Sequence, residues 1–403
     1  MAPVRDEARE LAELFVAAGY RIYLVGGIVR DAMLGLPLDT ALDLDLTTDA
    51  QPTAVKSILE GWADTLWTQG ERFGTIGARR GDRRVEITTH RTERYLPDSR
   101  KPDVAFADAI EADLSRRDFT INAMAVELPD GELIDPFGGA DDLAARRLLT
   151  PLDPAETFSD DPLRMLRAAR FTAQFELTAE PPLVAAMKVM ADRLAIVADE
   201  RIRDELDRLL ALPNPVPGFG LVFETGVAER VLGPVTDGNA ALGRLERAGD
   251  DPIPRLAVLL ADVGTPAEVQ AVLSERRATT AVSRAVSAVL SAAHQAVGQP
   301  PRTLPLLRRW VVDAGSHLDQ ALAVASVLGA LGTLAADVAA LLEAEPDLLG
   351  PPVLDGQEIM ALLSLDPGPN VGAAVEELRR HRLDSGPHTP EEARNHLLRW
   401  RSS

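Results

Sequence analysis

The sequence predicts an α/β head of roughly 140 residues followed by an all-helical remainder. Up to that point short apolar runs with strand character alternate with helix-period segments. Beyond it the strand signals stop, and alanine and leucine dominate, which favours helix. A chain of 403 residues also exceeds what one hydrophobic core usually covers, so several domains or subdomains are expected.

The first twenty residues, "MAPVRDEARELAELFVAAGY", carry acids inside an apolar pattern. They predict an amphipathic helix and not a signal peptide. Strands are expected at Arg21–Val25, Leu42–Thr47, Trp62–Thr68, Gly74–Arg80 and Val85–Thr89. A hairpin should follow at 126–137, turning on Pro-Asp-Gly. The helical region breaks at "ALPNPVPGFG" (211–220) and "LDPGPNVG" (365–372), so it falls into two or three pieces, and the domains expected are 1–140, 141–212, 213–300 and 301–403. "ALAVASVLGALGTLAA" (321–336) is too short and too weakly apolar to span a membrane and predicts a buried helix.

Hydrophobic residues make up 46% and charged residues 26%, the balance of an ordinary globular protein. There is no cysteine, which excludes disulfides, thiolate zinc sites and cysteine nucleophiles, and which a reducing cytoplasm permits. Net charge is −20, on its face adverse to a nucleic-acid partner. The charge is uneven, however. Basic residues outnumber acidic ones from Arg72 to Lys101, and arginines follow at 116, 117, 164, 167 and 170, so a local stripe is able to meet a phosphate backbone.

Three clusters carry chemistry. In "LVGGIVRDAMLGLPLDTALDLDLTTDA" (24–50), Gly26 and Gly27 lie between a strand and a helix, where backbone amides can receive phosphate oxygens and Arg30 adds a cation. Asp43 and Asp45 alternate with leucines, so both carboxylates share one face of a strand. They are hard oxygen ligands suited to Mg²⁺, and Glu86 in "RRVEITTHR" is expected beside them across the sheet. Such a set suits metal-assisted phosphoryl or nucleotidyl transfer. A lone D-x-D is common by chance, and the Gly-Gly and V-R-D context lifts this one above that background.

In "EADLSRRDFTINAMA" (111–125), Asn122 falls four residues after Asp118, on the same helical face. The two can hold ribose hydroxyls while Arg116 and Arg117 grip phosphates; a plain helix cap with surface charge is the alternative. In "SDDPLRMLRAARF" (159–171), Pro162 belongs in the first turn of a helix. There Asp161, Arg164, Arg167 and Arg170 recur every three residues. Asp161 and Arg164 together offer acceptor and donor groups to a base edge; the alternative is an i,i+3 surface ion pair.

Together the clusters resemble those of the bacterial class II tRNA nucleotidyltransferases, the CCA-adding enzyme and poly(A) polymerase family. "GGIVRD" followed by "DLD" matches its metal signature, "RRDFTINAMA" its ribose motif, and Asp160-Asp161-Pro162-Leu163-Arg164 its nucleotide-selecting helix, with Asp160 where relatives usually carry Glu. "ADERIRDEL" (198–206), "NPVPGFGLVFETGVAERVL" (214–232) and "VLDGQEIMALLSLDPGPNVG" (353–372) are also similar.

The resemblance implies a polymerase-beta-like nucleotidyltransferase head followed by an all-α neck, body and tail. It implies Mg²⁺ held by Asp43 and Asp45, triphosphate contacts from Gly27 and Arg30, and phosphate or ribose contacts from Arg117 and Asp118. Asp161 and Arg164 would read the base, assisted by Arg167 and Arg170. The implied activity is addition of CTP- and ATP-derived nucleotides to the 3′ end of tRNA, with no DNA or membrane partner. Addition of A alone beside a CC-adding partner, or of a poly(A) tail, is the alternative. "RTERYLPDSRKPDVAF" (91–106) is expected to be a mobile polar loop. Its Tyr95, Asp98, Arg100 and Pro102 resemble a family loop associated with accepting ATP. "PRLAVLLADVGTP" (254–266) resembles a phosphohydrolase signature with Ala261 in place of the metal-binding histidine, so no such activity is expected.

Overall fold

The computed structural model describes residues 2–37, 44–94, 103–106, 109–276 and 278–402. Asp43 and the residues Tyr95, Asp98, Arg100 and Pro102 therefore lie outside the described residues. The chain divides into two compact units, Met1–Val231 and Leu232–Ser403.

The first unit opens with α1 (Ala2–Ala17), whose Ala8, Leu11, Ala12 and Phe15 are buried at helical spacing. It continues through β1 (Ile22–Val25), α2 (Gly27–Met33), β2 (Leu44–Thr48), α3 (Pro52–Glu60), β3 (Thr65–Trp67), β4 (Thr75–Arg80) and β5 (Arg83–Thr89). A separate antiparallel pair follows, β6 (Arg91–Arg94) with β7 (Asp103–Phe106). Then come α4 (Ile110–Ser115), β8 (Ala125–Leu128) and β9 (Leu133–Ile134). The main sheet runs β3-β4-β5-β2-β1-β8-β9, with β2 and β5 parallel and every other pair antiparallel.

Alternation along these strands gives the sheet two different faces. Ile22, Leu24, Leu44, Leu46, Ile76, Ala78, Val85 and Ile87 form one core with α1 and α3. On the opposite face Tyr23, Val25 and Ala125 pack under Ile110 and Leu114 of α4. Asp45 and Glu86 belong to this second face, and they are direct register partners on adjacent strands.

The helical part of the first unit contains α5 (Gly139–Ala144), α6 (Pro154–Asp160), α7 (Arg164–Gln174), α8 (Pro181–Met190), α9 (Asp199–Leu210), α10 (Val216–Glu224) and α11 (Val227–Val231). A small parallel pair, β10 (Arg147–Leu148) with β11 (Thr178–Ala179), lies among them. The break at 211–220 is a turn after which α10 packs back on α7. A Cβ on Gly218 would stand 2.5 Å from the Ala169 carbonyl, so only glycine permits this approach. Residues on both sides of that break therefore share one compact unit.

In the second unit α12 (Gly238–Leu245), α13 (Pro252–Leu259), α14 (Pro266–Glu275), α15 (Thr280–Gly298), α16 (Leu304–Ala314) and α17 (Leu318–Val327) precede α18 (Leu334–Ala344). The stretch 321–336 is thus not one buried helix. It breaks between α17 and α18, where Gly329 adopts φ 94°. The chain ends in α19 (Gly356–Leu363), α20 (Pro369–Ser385) and α21 (Pro390–Ser402), which share a core of Leu354, Ile359, Leu363, Ala374, Leu378, Ala393 and Leu397. Ala261 is buried, and the neighbouring Asp262 is held by Arg244 at 2.5 Å. Among the described residues, no helix is long and apolar enough to cross a membrane.

Candidate functional site

The turn after β1 begins the site. Gly26 has φ 74°, and a Cβ there would stand 2.9 Å from Nη1 of Arg117. A side chain at this position is strained by the left-handed backbone and would displace the guanidinium. The first amides of α2 have no acceptor within the helix and remain for a ligand or for other groups.

Arg30 is buried, with its guanidinium 4.1 Å from the centre of the Phe175 ring. It donates to Asp31 Oδ1 through Nε and Nη2 and to Asn122 Oδ1 through Nη1 at 2.6 Å. Asn122 donates in turn to Asp118 Oδ1 at 3.0 Å, and Asp118 Oδ2 accepts from Arg167 at 2.6 and 2.8 Å. Four residues from the three sequence clusters thus form one chain of hydrogen bonds from α2 to α7. The segment 118–122 is not α-helical as expected: residues 120–122 form a 3₁₀ turn. Asp118 reaches Asn122 across it while also accepting the Phe119 amide.

A cleft of about 470 Å³ lies over this chain, lined by Arg116, Arg117, Asp118, Asp161, Leu163, Arg164 and Arg167 together with Arg201, Asp204, Glu205 and Arg208 of α9. Pro162 falls in the turn two residues ahead of α7, where the Asp161 carboxylate accepts the Leu163 amide. The i,i+3 pairing of Asp161 with Arg164 is not what the structure records. Asp161 is bound by Arg201 at 2.7 Å, whereas Arg164 donates to the carbonyls of Arg116 at 2.6 Å and Thr157 at 3.4 Å. Arg170 stands apart from the cleft lining, buried and committed to Glu205 and Gln174. Sequence reading missed Arg201, Asp204, Glu205 and Arg208. The first three lie in the charge-dense "DERIRDEL" (199–206), noted for its resemblance but assigned no role, and Arg208 follows it by two residues.

Burial pushes the Asp118 carboxyl up, but Arg167, the Asn122 hydrogen bond and Arg164 outweigh it and hold the group below the usual carboxylate range. A depressed folded value stabilises the fold above the unfolded pKa of about 4, and that contribution is lost as pH falls through the folded value. Thermal unfolding midpoints are therefore expected to fall as pH drops below about 4. The fall should be shallower in Asp118→Asn, as read by circular dichroism; equal slopes would contradict the assignment.

On the sheet, Asp45 is exposed beside half-buried Glu86, and Arg84 holds Glu86 at 3.0 Å. Adjacent strands lie about 4.8 Å apart, which brings two hard oxygen donors within reach of one small cation. Among the described residues, no group of three acids or histidines is placed to hold a metal ion. The pair present is of the kind Mg²⁺ uses when substrate phosphates complete its shell.

The mixed sheet with paired carboxylates, and the arginine-lined cleft behind its Gly-Gly turn, define a head of the nucleotidyltransferase type. Residues 22–149 match the family model of the poly A polymerase head domain, and residues 176–238 match that of the probable RNA and SrmB-binding site of polymerase A. The CCA-adding enzyme of Latilactobacillus sakei subsp. sakei is 37% identical over 295 residues, 72% of each chain. That of Limosilactobacillus reuteri is 38% identical over 241 residues, and the matching stretch spans 58% of its length. The crystal structure of the Bacillus stearothermophilus CCA-adding enzyme in complex with CTP superposes with a TM-score of 0.71 at 26% identity, covering 100% of this chain and 99% of that one. The chain belongs to the CCA-adding enzyme and poly(A) polymerase family.

Proposed function

We propose that this protein is a tRNA nucleotidyltransferase that adds C and A nucleotides, drawn from CTP and ATP, to the 3′ end of tRNA. The observation that carries the reading is the cleft in which Asp161 and Arg164 stand beside the Arg116–Arg117 pair. A base-edge acceptor and donor thus lie next to phosphate-binding cations. The relatives support the same reading: the Bacillus stearothermophilus enzyme was crystallised with CTP. A Thermotoga maritima CCA-adding enzyme, whose likeness at 20% identity concerns the fold alone, has been solved in complex with tRNA. A cytoplasmic location goes with this reading, since tRNA would be the substrate.

In this reading the amides of Gly27 and the guanidinium of Arg117 receive the triphosphate, and Arg116 adds a second cation. Asp118 orients Arg167 and, with Asn122, faces the ribose. Arg30 acts from behind, holding Asn122, and Arg170 holds Glu205. Asp161 and Arg164 present acceptor and donor groups to the base, each fixed by a partner of its own, Arg201 and the Arg116 carbonyl. Asp43 and Asp45, with Glu86 alongside, are the residues that would hold Mg²⁺. When bound, that ion lowers the pKa of the acceptor 3′-hydroxyl and neutralises charge on the pyrophosphate leaving group.

Incorporation of labelled CTP or ATP into tRNA lacking its 3′ end tests the proposal, and no incorporation at any tRNA concentration overturns it. Arg164→Ala should relax the choice between CTP and ATP by about one to two orders of magnitude, since base-edge pairs discriminate by about 1–3 kcal/mol. Misincorporation assays check this. Unchanged selectivity with a lower overall rate would make Arg164 a structural residue only.

A further inference from the structure

One carboxylate sets both arginines of the 116–117 pair. Asp113, on α4, has 0% exposure. Its Oδ1 accepts from Nε and Nη2 of Arg116 at 3.0 and 2.7 Å, and its Oδ2 accepts from Nη2 of Arg117 at 3.2 Å. Burial pushes the Asp113 carboxyl up, but Arg116 and Arg117 outweigh it and hold the group below the usual range, so it is ionised at neutral pH.

Arg117 Nη1 stands against Gly26, at 2.9 Å from the position a Cβ would take, while the Arg116 carbonyl accepts from Arg164. Asp113 thus steadies, from beneath the cleft and without lining it, the Arg117 guanidinium that meets the turn after β1. Asp113 accepts from two N–H groups of Arg116 and from one of Arg117. Arg117 Nε is buried without a hydrogen-bond partner.

We infer that Asp113 is a positioning residue for the nucleotide triphosphate: it locks Arg116 and Arg117 in the fork that lines the cleft where phosphate binds. The inference rests on the proposed nucleotidyl transfer. Without that lock two long side chains must be ordered at each binding event, and binding weakens accordingly. Because CTP and ATP share the triphosphate, both are affected alike, and base choice is not.

The test is steady-state kinetics of Asp113→Asn against wild type. KM should rise for CTP and ATP by the same factor, about ten- to hundredfold, with KM for tRNA and the CTP/ATP preference unchanged. In an Arg116→Ala/Arg117→Ala background the same substitution should add nothing further. A merely structural role would lower the melting temperature and the active fraction at unchanged nucleotide KM, and that result overturns the inference. So does a shift for one nucleotide alone, or full additivity in the double background.

If Asp113→Asn fails to fold, Asp113→Glu keeps the charge but moves it by one methylene, and the same equal rise in both nucleotide KM values is required of it. If wild type is inert on tRNA, the functional reading fails by itself. Calorimetric titration of wild type and Asp113→Asn with CTP and ATP alone then decides the positioning role, equal affinities counting against it.

Discussion

Asp45→Ala is expected to abolish nucleotide addition while leaving the fold intact. Asp45 is exposed on β2, so its removal costs little stability, within about 0.5 kcal/mol for a surface position. Loss of one of two hard oxygen donors beside the reacting phosphate removes several kcal/mol of charge stabilisation, a rate loss of about a thousandfold or more. Asp43→Ala should behave alike. Single-turnover incorporation with an unfolding curve on the same sample checks both statements, and activity within about tenfold of wild type would refute the metal assignment.

Asp118→Ala should damage both stability and activity. The carboxylate accepts from Arg167, Asn122 and the Phe119 amide in a buried position, and alanine strands all three donors. Breaking a buried pair costs about 3–5 kcal/mol; the low end applies because the Arg167 side chain is 32% exposed and water takes up part of its charge. Chemical denaturation measures this directly. Asp118→Asn keeps the shape but not the charge and should fall between the two. A stability within about 0.5 kcal/mol of wild type for the alanine variant, the spread of ordinary surface substitutions, would mean the network is not a brace.

What was legible in the sequence had a local period. Alternation placed Asp45 on the polar face of β2, and the same period in β5 brought Glu86 to its side. The amphipathic spacing of Leu11 and Phe15 gave α1. Features set by distant partners were not legible. Asp161 and Arg164 have the spacing of an ion pair, yet Arg201, 40 residues on, takes the carboxylate. Asp118 and Asn122 do meet, but through a 3₁₀ turn and not an α-helix.

Asp113 was passed over although it lies three and four residues from the arginines it binds, because such spacing is common on solvated helices. β6 and β7 read as loop because charges and prolines fill the stretch 91–106, and two-residue strands such as β10 and β11 are too short to show a period at all. Glycines at 329 and 332 broke a helix that composition alone made continuous.

The central claim is that one cleft selects first CTP and then ATP for the 3′ end of tRNA. Sequencing the products formed from a tRNA lacking its three terminal nucleotides, with both nucleotides supplied, tests it most directly. The account predicts a product extended by CCA and no further. An unextended tRNA, an extension only of molecules already ending in CC, or an open-ended run of A would each contradict it.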